Sequence, residues 1–341
     1  MKKLKIGGNN ILLLITIVLF IAMYAMGCVV YADKGFTHLQ TFLNVLINNA
    51  GLICVAAGTT CVMLTGGIDI SVGSLVAMDC MILAVGIEHK GMSSITLMIL
   101  ILLIGLVFGC VQGFLIAYLK IQPFIATMAG MFFARGMTAV IETDQVSITS
   151  DKIFVAISNA KAKIPFGIGA YTNKKGVLQI PYVRPTVIVA LLVVVVIYLM
   201  LKYTKFGRSI YAVGGNQTSA TLMGLNVAKT TMMTYVLASV LCSIGGICYC
   251  LNTMCGTTTQ ALGFEMDAIS SAVIGGTLLT GGVGNIVGTL FGVLINGTIS
   301  TLVKSNGKLI SSWANIITAI LLCFFILLQA IFAKIRENKK A

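Results

Sequence analysis

Charge is scarce in this chain. Asp, Glu, Lys and Arg make up 10% of its 341 residues, against about 25% in ordinary soluble domains. With 58% hydrophobic residues and a mean hydropathy of +1.01, that scarcity excludes a soluble globular protein and leaves an integral membrane protein. Histidine is nearly missing: His38 and His89 are the two present, and they lie far apart. The ten cysteines contain no C-x-x-C spacing, so no metal site is expected. Cys54, Cys61, Cys110 and Cys323 fall inside apolar runs, where a thiol behaves as a small hydrophobe. Catalytic constellations are lacking as well. There is no phosphate-binding G-x-x-x-x-G-K-[ST] loop, no H-E-x-x-H, no G-x-S-x-G and no dinucleotide fingerprint. Gly307-Lys308 has neither the preceding glycine nor the following Ser or Thr. No catalytic residue is therefore assigned, no cofactor is expected on the chain, and it is expected not to bind or hydrolyse ATP by itself.

What the sequence has in abundance is apolar length. A bilayer-spanning helix needs about 20 apolar residues, and such runs recur from one end to the other. They predict spans near 11–31, 40–64, 72–87, 95–118, 122–141, 185–201, 230–251, 267–280, 284–303 and 312–333. The expected fold is all-α and polytopic, with about ten transmembrane helices in one membrane domain over 1–341. The opening basic stretch and apolar run could pass for a cleaved signal peptide with a lipid-attachment cysteine at Cys28. The residue three before it is Ala25, the cleavage pattern is poor, and the first span is expected to be kept.

One block occurs twice. Leu64 to Met78 reads LTGGIDISVGSLVAM and Leu279 to Val293 reads LTGGVGNIVGTLFGV, with seven identities in fifteen positions. Inside a bilayer every backbone donor and acceptor needs an internal partner, so a span is interrupted only where protein or a water-filled cavity shelters it. Paired Gly-interrupted segments in two halves of a membrane protein point to transport, with the breaks beside the substrate path. The flanking segments are candidates for half-helices. Gly105, Gly109 and Gly113, and likewise Gly284, Gly288 and Gly292, recur every fourth residue and predict close helix packing.

The net charge of +13 would suggest nucleic acid in a soluble protein, but here it reads as orientation, and no nucleic-acid partner is expected. Lys2, Lys3 and Lys5 precede the first span, Lys202, Lys205, Arg208 and Lys229 bracket a central loop, and Lys334, Arg336, Lys339 and Lys340 follow the last span. The positive-inside rule places these on the cytoplasmic side, and an even span count puts both termini there. The 142–184 segment, expected outside, holds six basic residues, which narrows the asymmetry. The same count puts both Gly breaks on the cytoplasmic side and makes the repeat parallel, whereas one span more or fewer between them would make it inverted.

Polar residues inside the spans are costly, at least about 2.5 to 3.5 kcal/mol for a charge at the bilayer centre. Asp69 falls in the first break, where its carboxylate can cap the next helix and can equally read hydroxyls or gate the path. Asp79 and Arg135 fall near the middle of two spans, where pairing with each other would lower their cost. Asn44 and Asn48 share a helix face, suited to interhelical hydrogen bonds or to sugar contact. Glu265 and Asp267 open the segment before the second break, where acids favour a helix N-terminus. In the 202–229 loop, YAVGGNQTSATLMGLN predicts a short helix QTSATLM with Asn216 as N-cap and Gly224 as its stop. It would present Ala220, Leu222 and Met223 to a groove on another protein.

These blocks, with IQPFIATMAGMFFARGM at 121–137 and EMDAISSAVIGGTLLTGGVGNIVGTLFGVL at 265–294, resemble the permease subunits of bacterial ABC sugar importers, the ribose and galactose permease family, over nearly the whole chain. FIATMAGMFFARG and IGGTLLTGGVG look most like one of the two permeases of the galactofuranose importer. The resemblance implies a permease in the bacterial cytoplasmic membrane that works with an ABC ATPase carrying ATP and Mg²⁺, a second permease subunit, homologous or identical, and an extracytoplasmic sugar-binding protein. The cargo would be a monosaccharide and the surroundings membrane lipid. The 215–224 segment matches the family's coupling helix, so Gly215, Asn216, Ser219, Leu222, Met223 and Gly224 are the expected ATPase contact. The expected substrate path takes Asn44, Asn48, Gly66, Gly67, Asp69, Ser71, Phe124, Thr127, Glu265 and Asp267. Two departures stand out: Asp79, where related chains are usually uncharged, and the divergent 142–184 stretch, where a binding protein could dock. The competing class is an ion-coupled secondary transporter of a small polar solute, which Asp69, Asp79 and Arg135 could serve. An intramembrane enzyme is disfavoured by the missing constellations.

Overall fold

The computed structural model of the protein describes residues 8–164, 169–172, 178–307, 310 and 312–338. Lys2, Lys3, Lys5, Lys339 and Lys340, on which part of the orientation argument rests, lie outside them. Among the described residues the chain forms thirteen α-helices. They are α1 (Gly8–Val30), α2 (Leu39–Leu64), α3 (Val72–Glu88), α4 (Ser94–Ala117), α5 (Pro123–Ile141), α6 (Lys152–Asn159) and α7 (Pro185–Tyr203), then α8 (Lys205–Gly215), α9 (Gln217–Leu222), α10 (Val227–Thr253), α11 (Phe264–Ile274), α12 (Ile286–Asn306) and α13 (Ser312–Asn338).

Eight of these, α1, α2, α4, α5, α7, α10, α12 and α13, are long and apolar enough to cross a membrane. The other two expected spans are the helices beside the Gly breaks. At 1.5 Å per residue, the 17 residues of α3 reach about 26 Å and the 11 of α11 about 17 Å, against a hydrocarbon core of about 30 Å. The span expected at 267–280 starts earlier and stops at Ile274, because Gly275 and Gly276 follow and Gly276 takes φ +90°.

The bundle is built around α2, which is buried through most of its length and almost wholly apolar beyond Asn49. α10 lies along it so closely that a Cβ on Gly51 would stand 2.8 Å from the Gly245 carbonyl oxygen. The glycine ladder of α4 packs on a neighbouring face of α10, with Gly109 against Val236 and Gly113 against Met232. Gly288 and Gly292 of the second ladder bring α12 onto Gly275 and Ser271, at and just before the end of α11. Outward-facing residues such as Val107, Phe132, Leu192 and Ile320 are apolar and exposed, as a lipid-facing surface requires.

Contacts fix which helix ends lie together. Thr16 Oγ1 near the start of α1 donates to Ile274 O at 2.7 Å, and Gln329 Nε2 of α13 donates to Val273 O at 3.0 Å. Both terminal helices therefore meet the second Gly break. At the opposite end Asn306 Nδ2 bonds the Tyr31 hydroxyl at 3.1 Å, and Arg184 bonds Asn252 Oδ1 at 2.8 Å. The 142–184 segment lies at that opposite end. It holds α6 and short antiparallel pairs, among them Val146–Ser147 with Cys255–Gly256. Asp151 caps α6 from Ile153 and Phe154 and ties it to Ser94. Burial pushes its pKa up, but these donors outweigh it and hold the carboxyl below its ordinary range.

Candidate functional site

The two copies of the repeated block meet. α2 ends where Gly66 takes φ +82°, and the aligned Gly281 takes φ +85°, a left-handed conformation that a side chain disfavours. The Gly282 amide donates to the Leu64 carbonyl at 2.9 Å, which joins the second break to the end of α2. Both breaks thus lie at one end of the bundle, as a parallel repeat requires. A third segment completes the junction. Gly214, next to last in α8, leaves no room for a side chain, because a Cβ would overlap Leu64 O and stand 2.5 Å from Gly282 N. The Tyr211 hydroxyl of α8 donates to Gly284 O at 3.1 Å.

Behind the first break lies a buried polar layer. Asp69 Oδ1 accepts from the Ser71 amide at 2.9 Å and from Ser71 Oγ at 2.6 Å, and Gln112 Nε2 of α4 donates to Ser71 Oγ at 3.0 Å. The carboxylate thus braces Ser71, the residue that leads into α3, but it does not cap α3 as expected: no side chain accepts from the first amides of that helix. Its other oxygen, Oδ2, is buried with no hydrogen-bond partner among the described residues, and so is the Tyr235 hydroxyl of α10, which packs against Gly67. Thr127 Oγ1 of α5 reaches Ile68 O at 3.4 Å.

The loop after α8 forms the helix read from the sequence. Asn216 Oδ1 accepts from Ser219 N at 2.8 Å, α9 follows, and Gly224 takes φ +79°. Leu222 is 84% exposed and Met223 67%, whereas Ala220, expected beside them on the surface, is fully buried. Ala220 lies on the inward side of α9, and its carbonyl accepts the Leu225 amide at 3.1 Å. Gly215 and Ser219 are exposed.

Two cavities lie at opposite ends of the bundle, and the smaller is the more polar. One of about 820 Å³ sits beneath α9, between the first break, the end of α4 and the start of α10, and is lined by Gly66, Gly67, Gln122 and Tyr235 among others. The other, of about 420 Å³, collects Asn48 of α2, Asp267 of α11 and Lys304 of α12. Of the residues read as the substrate path, Gly66, Gly67, Asp69, Ser71 and Thr127 come together at the breaks, and Asn48 and Asp267 share the smaller cavity. Asn44 is exposed and accepts from Gln40 Nε2 at 2.8 Å. Phe124 stands exposed on α5, and Glu265 turns its carboxylate against Gly73 of α3. Asp79 and Arg135 do not pair. Arg135 donates to the carbonyls of Thr258 and Gln260, at 3.1 and 2.7 Å, while Asp79 packs against Gly246 of α10. Backbone carbonyls of the α10 to α11 connection supply what the carboxylate was expected to supply.

Sequence reading missed Gln112, Tyr235 and Gly214. Gln112 had a signal, as the one amide in the otherwise apolar α4, where an isolated polar group is expensive. Gly214 had none, since only the fold shows that it stands between the breaks.

Helices interrupted in pairs and brought together at one end of a lipid-exposed bundle belong to a multi-pass membrane permease. The chain is a member of the family described as branched-chain amino acid transport system / permease component, whose pattern matches residues 41–326. As a permease component it is a transport protein and not an enzyme. It is 40% identical to the inner membrane ABC transporter permease protein YjfF of Escherichia coli K12, over 98% of this chain and 96% of that one. It is 35% identical to the fructose import permease protein FruG of Bifidobacterium longum, over 99% and 96%, and 36% identical to the ribose import permease protein RbsC of Escherichia coli K12, over 79% of each. No solved structure matches the chain.

Proposed function

We propose that this chain is the membrane-spanning subunit of an ATP-driven monosaccharide importer of the bacterial cytoplasmic membrane. It would work beside a second permease, an ABC ATPase that carries ATP and Mg²⁺, and an extracytoplasmic sugar-binding protein. Relatives named for ribose and fructose import support a sugar as cargo, and the likeness of FIATMAGMFFARG and IGGTLLTGGVG supports galactofuranose or a closely related sugar.

The observation that carries the reading is the junction at Gly214. The elbow between α8 and α9 touches both breaks at once, while α9 holds Leu222 and Met223 out to solvent. A partner pressing on those two side chains displaces the elbow, and the elbow bears on the ends of α2 and of the second break. Closure of the ATPase would in this way switch the path between its two ends, with Gly66 and Gly67 lining the cavity at one end, the buried Asp69, Ser71 and Thr127 behind them, and Asn48 and Asp267 lining the cavity at the other. Basic residues around the 202–229 loop, at the same end as both terminal helices, support a cytoplasmic placement of that end.

The unpartnered carboxylate oxygens of Asp69 and Asp79 favour the second reading, an ion-coupled transporter of a small polar solute. Energy coupling separates the two. Uptake of labelled sugar should stop on ATP depletion and survive an uncoupler, and the reverse pattern would refute the ABC reading. Labelling of a Gln217→Cys variant by an impermeant reagent from outside intact cells would overturn the orientation.

A further inference from the structure

The smaller polar cavity holds hydrogen-bonding capacity that the fold does not use. Among the described residues the side chains of Asn48, Asp267, Ser300 and Lys304 all line it, and none makes a hydrogen bond or ion pair within the chain. Asn48 and Lys304 are exposed and Asp267 and Ser300 half-buried, so their polar groups stay open to a solute rather than being spent on a neighbouring helix. One wall differs: the rings of Tyr249 and Phe264 meet edge to face, 5.1 Å apart at 73°. Amide, carboxylate, hydroxyl and ammonium on one side and an aromatic surface on the other suit a ligand that is polar on its edges and apolar on one face. Asp267 and Lys304 supply one charge of each sign, so the lining is matched to a solute without net charge.

We propose that this cavity is a binding subsite for an uncharged monosaccharide, with Asn48 and Asp267 reading hydroxyls, the ring of Tyr249 covering the apolar face, and Asp267 repelling sugar acids. The assignment rests on the sugar-importer reading and places a stop on the path within one permease chain, at the end opposite the Gly breaks. Ser300 and Lys304 complete the polar rim.

The test uses the complete importer in membranes and labelled D-galactose, D-ribose and D-fructose. Asp267→Asn should lower uptake of the transported sugar at limiting concentration roughly tenfold, the scale of one lost hydrogen bond to a charged group, and Asn48→Ala and Tyr249→Leu should each lower it about fivefold, the scale of about 1 kcal/mol, with the amount of inserted protein unchanged. Asp267→Asn should in addition let D-galacturonate compete, which wild type excludes. Unchanged uptake in all three variants, or unchanged exclusion of galacturonate in Asp267→Asn, overturns the subsite. If a variant fails to assemble, the thiol introduced by Asn48→Cys in the purified importer, in a background stripped of accessible native thiols, decides. The transported sugar should slow its alkylation, and equal rates with and without sugar overturn the proposal. Wild type that moves none of the three sugars overturns the sugar-importer reading and the subsite with it, whereas wild-type transport with indifferent variants overturns the subsite alone.

Discussion

The two Gly breaks share half their letters and differ in what they join. The first follows a 26-residue helix and leads into one of 17; the second follows a helix of 11 and leads into one of 21. The first is tied by a carboxylate, Asp69, accepting from Ser71 N, and the second by an amide, Asn285, accepting from Val287 N at 2.9 Å. Repetition of Leu-Thr-Gly-Gly therefore specifies a left-handed turn at its first glycine and a helix start beyond, and leaves arm length and charge free to differ. The charged break sits against α4 and α10 and borders the larger cavity, whereas the neutral one binds the terminal helices α1 and α13. One copy bears on the path and the other on the frame around it.

The sharpest way to break that comparison uses the aligned pair Gly66 and Gly281. Their φ values are nearly equal, so a Cβ meets the same backbone strain at both, and any difference reports surroundings. At Gly281 it would stand 2.7 Å from Gly66 N and 2.9 Å from Gly66 Cα, backbone that cannot step aside. Gly281→Ala should cost about 2 to 5 kcal/mol from strain and overlap combined, read as loss of inserted, protease-resistant protein and of uptake.

Leu222→Asp should leave insertion and thermal stability near wild type, because the side chain is exposed, and should abolish ATP-dependent uptake by placing a charge in an apolar contact. Co-purification of the ATPase is the direct measurement. Retained uptake would detach α9 from the elbow mechanism, leaving the junction at Gly214 without a driver.

Asp69→Asn sharpens the contrast between a charged and a neutral break. Asn285 shows that an amide can hold the start of the following helix, so the variant should insert and melt within about 1 kcal/mol of wild type. Uptake should nonetheless fall, because the unpartnered Oδ2 loses its charge. Wild-type uptake by this protein would reduce Asp69 to a brace for Ser71 and erase the functional difference between the breaks.

The sequence made most of the helix inventory readable because membrane spans are selected on length and hydropathy, quantities that are local. The bounds of α2 and α3 agree with the reading to within a residue. The cap at Asn216 and the left-handed Gly224 were legible for the same reason, since each depends on residues no more than four apart. What was not legible is who meets whom. Asp79 and Arg135 looked like partners because both were charges in need of one, yet Arg135 found carbonyls in a connection that has no charge of its own. Gly214 looked like any other glycine beside a loop until the fold set it between Leu64 and Gly282. Ala220 has exposed neighbours in sequence, yet the inward side of α9 buries it completely.

The smallest effect expected is at Gly66. Its φ of +82° means that alanine there costs roughly 1 to 2 kcal/mol in conformational strain, but the nearest atom to a Cβ would be Thr280 O at 3.4 Å, an ordinary contact. No neighbour has to move, so Gly66→Ala should insert, melt only slightly early and keep most of its uptake, in contrast to Gly281→Ala. A paired measurement of melting and uptake on the two variants isolates packing from strain. Should Gly66→Ala prove as damaging as its counterpart, the space on its open side must close during the transport cycle. The first break would then be the moving member of the pair, working against a second break that stays fixed.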